Sequence, residues 1–264
     1  MDIVFAPKCG GKRLKRPSAV DTLDRPLLSI VTVVLNGAKE LESSICSVIH
    51  PSYENVEYII LDGGSTDGTI DLLNKYEDSI DYWLSEPDNG LYDALNKAVR
   101  LARGRWVCIL GSDDTLCSDV KMVADYLIDE RTIYYGDVFM TGSKKRYDGR
   151  FGAWKLSRRN ICQQAIFYPR SVFKSQQFNL KYRLLADWEF NLRCYCNPQF
   201  RFKYIPVLVA NYNDVTGKSS AGSDMQFLID HGDLIRECLP WPYYAWHRFK
   251  RIARKIIGAA RGSR

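Results

Sequence analysis

The sequence predicts an α/β fold in which a mostly parallel sheet is flanked by helices. Short, wholly apolar runs recur along the first half of the chain, and most are followed by a segment whose apolar residues have helical spacing. Strands that are apolar throughout are typical of parallel sheets covered on both faces, and strands that alternate with helices require crossover connections. We therefore expect three βα units whose connecting loops gather at one edge of the sheet.

The first two units have clear boundaries. Residues 27–35, LLSIVTVVL, predict the first strand, and apolar residues at helical spacing over 41–49 predict a helix that stops at His50-Pro51. Residues 56–61, VEYIIL, predict the second strand. The glycine-rich turn DGGSTDGT follows at 62–69 and supplies a cap for the next helix.

The third unit leads to the most informative segment. Residues 82–84 predict a short strand, and Asp88-Asn89-Gly90 caps a helix over 91–102 that has one apolar face and is closed by Gly104. WVCIL at 106–110 predicts another buried strand. Its carboxyl end is therefore expected at the edge where the other loops gather.

Two adjacent carboxylates, Asp113 and Asp114, follow that strand. Ligands of open α/β sheets bind beyond the carboxyl ends of the strands, so both side chains are expected at a ligand site. Adjacent carboxylates repel each other, and a hard cation such as Mg²⁺ or Mn²⁺, often bridging to phosphates, is their usual explanation. The alternative interpretation is that the pair caps the next helix at Ser118 or Asp119.

The loops at this edge predict a nucleotide crevice. Asn36 and Gly37 end the first strand, residues 62–69 follow the second and residues 111–114 follow the later one, so acceptors and backbone donors surround one crevice. The turn lacks Gly-x-Gly-x-x-Gly spacing and the chain has no Gly-x-x-x-x-Gly-Lys. A nicotinamide cofactor and a phosphate-binding loop are therefore not supported.

Composition limits the class of protein. The 264 residues are 46% hydrophobic and 26% charged, which suits one large core with extensions. No apolar stretch approaches the roughly 18 residues that span a bilayer, and the first residues are basic rather than apolar, so neither a spanning helix nor an export signal is expected. The eight scattered cysteines are expected to be reduced thiols in a cytosol, and the absence of Cys-x-x-Cys disfavours structural zinc.

Five ordered motifs together resemble the family 2 glycosyltransferases of GT-A fold, which transfer sugars from nucleotide diphosphosugars. The motifs are SIVTVVLNG, YIILDGGSTDGT, SEPDNGLYDALNKA, GRWVCILGSDD and LLADWEF, and the resemblance covers roughly residues 27–215. It implies a GT-A (Rossmann-like) domain at 26–222, with a nucleotide-sugar half at about 26–120 and an acceptor half at about 121–222.

Two extensions complete the predicted organisation. Residues 1–25 are basic, with little periodicity, and are expected to form a flexible or loosely docked arm. Residues 223–264 are expected to form a helical extension rich in basic and aromatic residues.

The resemblance assigns residues of the donor half to substrate binding. Asn36 and the end of the first strand would line the base pocket, and Asp62 would hydrogen-bond the base. Gly63 and Asp88 belong to the same substrate-binding set.

Asp113 and Asp114 match the metal-binding carboxylate motif of the family. That motif often reads Asp-x-Asp-Asp, whereas here Gly111 stands at the first position. Asp113 and Asp114 would therefore hold the ion, Mn²⁺ or Mg²⁺, and the ribose between them.

The second half supplies the acceptor side. ICQQAIFYPRSVF at 161–173 resembles a segment that in related transferases commonly begins with His-Gln, where this chain has Gln163-Gln164. LLADWEFNLRCY at 184–195 matches the helix near the catalytic carboxylate, so Asp187 is the predicted general base, the alternative being a helix N-cap. Trp188 is the candidate for stacking on a sugar face, the alternative being a place in the core.

The resemblance thus implies an inverting transferase that moves a sugar, with a UDP-sugar as the favoured donor, to a hydroxyl of a glycan or lipid-linked acceptor. A divalent ion would stabilise the leaving diphosphate, and Asp187 would accept the proton of the attacking hydroxyl. Two alternatives stay open, a nucleotidyltransferase and a basic nucleic-acid- or membrane-binding protein without catalysis. A nucleotidyltransferase would need a basic phosphate-binding loop near the first strand, where this chain has LNGAKE. The basic residues lie at the chain ends rather than along a sheet face, so no nucleic-acid partner is expected.

The C-terminal extension predicts a membrane contact. From Tyr243 onward, apolar and aromatic residues fall on one helical face and basic residues on the rest, which suits an anionic membrane surface. The alternative is a helix packed on the domain. We expect a cytoplasmic protein at the inner face of the cytoplasmic membrane. Within 204–222, a final strand and a polar loop are expected, with Gly217, Ser219 and Ser220 as a candidate lid or an ordinary surface loop.

Overall fold

A mixed sheet of ten strands runs through the computed structural model, which describes residues 8–15, 28–49, 55–117, 120–215 and 223–249. In chain order the strands are β1 Lys8–Gly10, β2 Leu28–Val34, β3 Val56–Asp62, β4 Tyr82–Ser85, β5 Trp106–Ile109, β6 Thr115–Leu116, β7 Thr132–Met140, β8 Lys145–Tyr147, β9 Ile166–Pro169 and β10 Arg201–Tyr212. They are hydrogen-bonded in the order β1-β4-β3-β2-β5-β9-β7-β10-β6, and β8 pairs with β7.

The helices cover this sheet. They are α1 Leu41–Ile49, α2 Thr69–Lys75, α3 Leu91–Leu101, α4 Val120–Ala124, α5 Ala153–Leu156, α6 Arg170–Ser175, α7 Ala186–Cys196 and α8 Met225–Cys238, followed by a helix over 241–249, here α9. Short 3₁₀ turns lie at Lys12–Leu14 and Gln163–Ala165. The predicted helices of the first half are therefore present.

The first half has the predicted parallel arrangement. β4, β3, β2 and β5 are mutually parallel neighbours, and the register places Val34 opposite Asp62 and Asp62 opposite Ser85. The carboxyl ends of these strands consequently meet at one edge, as the alternation of strands and helices predicts. The prediction of a mostly parallel α/β sheet is confirmed for this half.

The second half makes the sheet mixed. β9 lies between β5 and β7 and is antiparallel to both, whereas β10 runs parallel to β7 and antiparallel to β6. The predicted final strand is present as β10. Because β9 enters the sheet next to β5, the segment just before β9 lies beside the carboxyl end of β5, where Asp113 and Asp114 follow.

Two apolar clusters fill the space between sheet and helices. One lies on the face covered by α3, α7 and α8 and includes Val31, Phe190 and Phe227. The other lies on the opposite face, against α1 and α4, and includes Ile30 and Ile45. Residues 30 and 31 point to opposite faces because side chains alternate along a strand.

Residues 8–15 of the predicted N-terminal arm contact the sheet, and the rest of residues 1–25 lies outside the described residues. β1 pairs antiparallel with the edge strand β4, and Arg13 donates to the carbonyl of Leu101 at 2.9 Å and lies 3.7 Å from a carboxylate oxygen of Glu57. Three residues are enough to satisfy backbone groups of an edge strand without giving a periodic pattern in the sequence.

Several predicted features lie outside the described residues. These are the alternative caps Ser118 and Asp119, the lid residues Gly217, Ser219 and Ser220, and the part of the amphipathic helix beyond residue 249. Among the described residues, no helix combines the length and apolar character needed to cross a membrane. The eight cysteines all fall in the described part of the chain and are free thiols.

Candidate active site

A cleft of about 660 Å³ opens at the carboxyl ends of β2 and β5. One wall is formed by the residues after these strands together with the start of α3, and we call it the donor wall. The opposite wall, the acceptor wall, is formed by residues that precede β9 and α7. The polar residues that line the cleft are Asn36, Glu40, Asp88, Tyr92, Ser112, Asp113, Tyr147, Asn160, Gln163, Gln164, Asp187 and Tyr212.

Asn36 lies in the donor wall, where it was predicted. Its backbone has a φ of 52°, a left-handed conformation that asparagine tolerates better than most residues. Its side-chain Oδ1 accepts the N–H of Thr66 at 2.9 Å, and its own N–H donates to Ser65 Oγ at 2.7 Å. Asn36 therefore joins the loop after β2 to the glycine-rich turn after β3.

Asp62 lies beneath the cleft rather than in its lining. It is fully buried, and its carboxylate accepts hydrogen bonds from the N–H groups of Gly64 and Ser65 and from the hydroxyls of Ser65 and Ser85. Four internal donors occupy the acceptor positions of a carboxylate. In this structure Asp62 holds the turn in place, and direct contact with a nucleotide base stays a prediction.

Asp88 lines the cleft, and Gly63 lets it do so. The Asp88 carboxylate accepts the N–H of Gly90 at 2.8 Å, just before α3 begins. Any Cβ at position 63 would collide with the other oxygen of this carboxylate. Gly63 therefore acts by admitting Asp88 to the cleft, and it does not itself line the cleft.

Asp113 and Asp114 have different environments. Asp113 lines the cleft, whereas Asp114 is 1% exposed and lies under it. The Asp114 oxygens accept the side-chain amide of Gln164 at 2.6 Å and the N–H of Asn213 at 2.8 Å. Burial, with a further contribution from the charge of Asp113, raises the pKa of Asp114 to about 6.

Gly111 creates the space in which these two carboxylates meet. A Cβ at this position would collide with Asp114 Oδ2 and lie 3.2 Å from Asp113 Oδ1, so the two carboxylates converge over the glycine. Two carboxylates beside an open cleft suit Mg²⁺ or Mn²⁺, which take further ligands from water and substrate phosphates. The described residues contain no group of three or more His, Cys, Asp or Glu placed to hold a metal ion.

Asp187 lies on the acceptor wall, at the second residue of α7. Its Oδ1 is 2.9 Å from the hydroxyl of Tyr92, and its Oδ2 accepts the side-chain amide of Asn160 at 2.7 Å. The helix N-cap is Leu185, whose own side chain makes no capping hydrogen bond, so Asp187 is not the N-cap residue. Burial raises the pKa of Asp187 to about 6, which places its titration near neutral pH, as suits a general base.

Trp188 is not in the cleft, which corrects its assignment as an acceptor contact. Its indole N–H donates to the carbonyl of Leu156 at 2.8 Å, and its ring lies 5.1 Å from Phe227 and 4.7 Å from His231. Successive residues of a helix point about 100° apart, so Trp188 can contact α8 while Asp187 faces the cleft. Trp188 attaches α7 to α8.

Three site residues were not predicted, and all act through side-chain contacts between distant segments. Tyr92 and Asn160 hold Asp187, and Gln164 holds Asp114. Gln164 was visible in the Gln163-Gln164 motif, but its carboxylate partner was not. Tyr92 lies on the apolar face of α3, where the helical pattern alone indicates core.

Comparison with known proteins agrees with the class of protein that the cleft defines, an α/β transferase with acidic groups on two facing walls. The model of the family "Glycosyl transferase family 2" matches residues 29–205. The chain therefore belongs to glycosyl transferase family 2, and it is a glycosyltransferase. This sets aside the nucleotidyltransferase and the non-catalytic binding protein.

Named relatives agree with the family assignment. A PGL/p-HBAD biosynthesis glycosyltransferase of Mycobacterium bovis is 39% identical over 212 residues, which cover 77% of this chain and 83% of that protein. A putative teichuronic acid biosynthesis glycosyltransferase, TuaG, of Bacillus subtilis is 40% identical over 93 residues, which cover 34% of this chain and 37% of that protein.

Solved structures confirm the GT-A fold. The TarS 1–349 structure of S. aureus in complex with UDP-GlcNAc has a TM-score of 0.64 at 18% identity, and the match covers 79% of this chain and 65% of that one, just under two thirds of its length. The mannosyltransferase PcManGT of Pyrobaculum calidifontis in complex with GDP-Man and Mn²⁺ has a TM-score of 0.59 at 16% identity, with coverages of 96% and 84%.

Proposed function

We propose that this protein is an inverting glycosyltransferase that moves a sugar from a nucleotide diphosphosugar to a hydroxyl of a glycan or lipid-linked acceptor. The observation that supports this most directly is the pairing of two acidic groups across one cleft. Asp113 and the buried Asp114 lie on the donor wall, and Asp187 lies on the acceptor wall. A displacement at carbon needs charge stabilisation on one side and a base on the other.

On the donor wall, Asn36 and Asp88 would contact the nucleotide and Asp113 would hold Mn²⁺ or Mg²⁺ together with Asp114. Such an ion, when bound, neutralises the charge that develops on the leaving diphosphate. Asp114 is held by Gln164 and by the backbone of Asn213, so it would supply a negative charge in a fixed position beside Asp113.

On the acceptor wall, Asp187 would accept the proton of the attacking hydroxyl. The hydroxyl oxygen forms a bond to the anomeric carbon, the bond from that carbon to the diphosphate breaks with its electron pair, and the proton passes to the Asp187 carboxylate. Because attack comes from the side opposite the leaving group, the configuration of the anomeric carbon inverts. Asp187 performs this step only when it is ionised, above about pH 6.

A UDP-sugar is the favoured donor. The TarS structure, which shares the fold, is a complex with UDP-GlcNAc, whereas the PcManGT structure is a complex with GDP-Man. The fold therefore accommodates both bases, and the loops of the donor wall select between them. The names of the Mycobacterium and Bacillus relatives support assembly of cell-surface glycans or glycolipids.

An anionic membrane surface is the proposed site of action, at the inner face of the cytoplasmic membrane. Trp241, Trp246 and Phe249 of α9 are 74%, 40% and 62% exposed, and the Trp246 ring lies 5.4 Å from that of Trp154. Residues 144–159, which contain Trp154, include seven basic residues and one acidic residue. Exposed aromatic rings beside basic side chains suit the interface of an anionic membrane, and a lipid-linked acceptor would be found there.

The donor site is tested by calorimetry with UDP, GDP, dTDP and CDP, with and without Mn²⁺. We expect Mn²⁺-dependent binding of one nucleotide that is lost in Asp113→Asn and retained in Asp71→Asn, an exposed control on α2. No binding of any nucleotide under any metal condition would contradict the proposed function.

The membrane contact is tested by sedimentation with phosphatidylcholine vesicles that contain or lack phosphatidylglycerol. We expect binding only to the anionic vesicles, weakened in Phe249→Ala. Ile128→Ala removes an apolar side chain that is 74% exposed elsewhere and is the matched control. Equal binding by both variants would contradict a contact through α9.

A further inference from the structure

A chain of buried hydrogen bonds extends from Asp187 into the core, away from the cleft. The Tyr168 hydroxyl is 2.8 Å from Asn191 Oδ1, Asn191 Nδ2 is 2.8 Å from Asn160 Oδ1, and Asn160 Nδ2 is 2.7 Å from Asp187 Oδ2. Tyr168 and Asn191 have no exposed surface, and neither lines the cleft. The chain therefore connects the predicted base to a hydroxyl in the middle of the sheet.

The three residues that connect to Asp187 come from different segments: Asn160 precedes β9, Tyr168 lies on β9 and Asn191 lies on α7. Asp187 and Asn191 stand one turn apart on α7, and the Asn160 side chain spans that turn by bonding to both. Tyr168 lies on β9, and the carbonyl of Asn160 accepts the hydroxyl of Tyr147 at 2.7 Å. Asn160 is thus held at its backbone and at both ends of its side-chain amide.

The order of donors and acceptors along this chain is not arbitrary. A side-chain amide has one donating end and one accepting end, so turning one amide requires turning the next. If both amides were reversed, the oxygen of Asn160 would face Asp187 Oδ2, and only a protonated Asp187 would tolerate that contact. A Tyr168 hydroxyl that donates to Asn191 favours the order that presents an N–H group to an ionised Asp187.

We propose that Tyr168, Asn191 and Asn160 form a positioning relay that orients Asp187 and stabilises its ionised form. The relay rests on Asp187 being the general base of the proposed function. None of the three residues is itself a base. They act through Asp187, by keeping an N–H donor directed at the oxygen that would otherwise retain a proton.

The titratable groups that face Asp187 do not change their charge in the pH range in which Asp187 titrates. They are Tyr92 of α3, Tyr147 of β8, Cys162 before β9 and Tyr168, and burial raises the pKa of each above its ordinary value. All four therefore stay uncharged between about pH 4 and 9. Asp187 is the group among them that titrates in this range.

Direct titration of Asp187 tests the relay without a donor or an acceptor. The intact protein is labelled with [4-¹³C]aspartate, and the carboxyl resonance of Asp187 is identified by its loss in Asp187→Asn. We expect that removing the stabilising hydrogen bonding raises the pKa of Asp187, by about one pH unit in Asn191→Leu and about half a unit in Tyr168→Phe.

Both replacements are neutral, so a shift cannot come from an added charge. Tyr134→Phe is the matched control, because Tyr134 is a buried tyrosine on the neighbouring strand β7 whose hydroxyl accepts the N–H of Asp129 at 3.3 Å and has no contact with Asp187 among the described residues. We expect no shift there. Tyr168→Phe preserves the ring and its packing, so it keeps the test decisive if Asn191→Leu does not fold.

An Asp187 pKa unchanged in both Asn191→Leu and Tyr168→Phe would overturn the relay. Failure of the proposed function is a separate result. If Asp187→Asn left turnover of the nucleotide sugar unchanged, Asp187 would not be the base, whatever its titration.

Discussion

Asp62, beneath the donor wall, and Asp187, on the acceptor wall, are held in different ways. On the donor side, Asp62 is held largely by its own turn, through the N–H groups two and three residues further along. On the acceptor wall, Asp187 is held by the side chains of Tyr92 and Asn160, 95 and 27 residues away. Asp62 is therefore held mainly by local backbone geometry, whereas Asp187, like Asp114 of the donor wall, is held by contacts from distant segments.

This difference has a chemical meaning. A donor with a diphosphate needs fixed positions for charged groups, and tight turns at strand ends supply them. A base must change its protonation state during each turnover, and partners on independent elements tune that state by burial and by the direction of their hydrogen bonds. Substitutions in the two walls should therefore affect different steps.

The largest expected effect comes from Asp187→Asn. Removing a general base costs about 10²–10⁴-fold in rate, and we expect a loss of about 10³-fold in release of nucleoside diphosphate from the nucleotide sugar. Nucleotide binding measured by calorimetry should be unchanged, because the donor wall is intact. Asp233→Asn, an exposed change on α8, is the control. A parallel loss of nucleotide binding would show that the two walls are not separable.

Gly111→Ala is expected to change the donor wall and to leave the acceptor wall unchanged, which is the reverse of the effect of Asp187→Asn. The added Cβ would displace the carboxylates of Asp113 and Asp114, so Mn²⁺-dependent nucleotide binding should weaken about tenfold or more, or about 1.4 kcal/mol. The carboxyl titration of Asp187 should not move. Gly152→Ala is the control, since a Cβ there meets nothing within 4 Å. Equal binding by both alanine variants would contradict convergence of the two carboxylates over Gly111.

Asp187 should also lower the stability of the fold at neutral pH. Burial raises its pKa to about 6, so the folded protein binds the proton more tightly than the unfolded chain. Its contribution therefore reduces the free energy of unfolding as pH rises from about 4 to 6. At pH 7.5, Asp187→Asn should raise that free energy by about 1–2 kcal/mol, and the gain should disappear near pH 4. Urea unfolding at both pH values measures this. If Asp187→Asn raised the free energy of unfolding equally at pH 7.5 and near pH 4, the pKa of Asp187 would not be raised by folding.

Trp188→Phe is expected to have the smallest effect. The variant loses the hydrogen bond to the Leu156 carbonyl, which costs about 1 kcal/mol of unfolding free energy. The KM for the acceptor should be unchanged, because Trp188 faces α8. A raised acceptor KM with unchanged stability would restore the sugar-stacking role that the structure argues against.

The sequence predicted the strands and loops of the donor wall well because their determinants are local. Apolar strands, the caps between them and the glycines of DGGSTDGT are each specified by a few neighbouring residues. The parallel rule then brings the strand ends to one edge without further information. Gly63 is a partial case, since the sequence marked it as part of the site but not as the residue that admits Asp88.

The acceptor wall was predicted only in outline. Family motifs placed Asp187 at the start of its helix, and the structure confirmed that position in α7. They did not indicate that Trp188, its neighbour, faces α8, because the burial of one helix face depends on which helix packs there. The short strand β1 was not predicted, because three residues carry no periodic signal.

The sequence by itself determined the α/β class, the order of the first strands and helices, and the identity of the acidic residues at the strand ends. Only the tertiary structure decided that β9 enters the sheet antiparallel beside β5, that Gln164 holds Asp114, and that Tyr92 and Asn160 hold Asp187. The physical reason is the range of the interactions. Periodicity and capping act over a few residues, whereas a buried carboxylate takes its partners from whichever segments the packed core brings within hydrogen-bond distance.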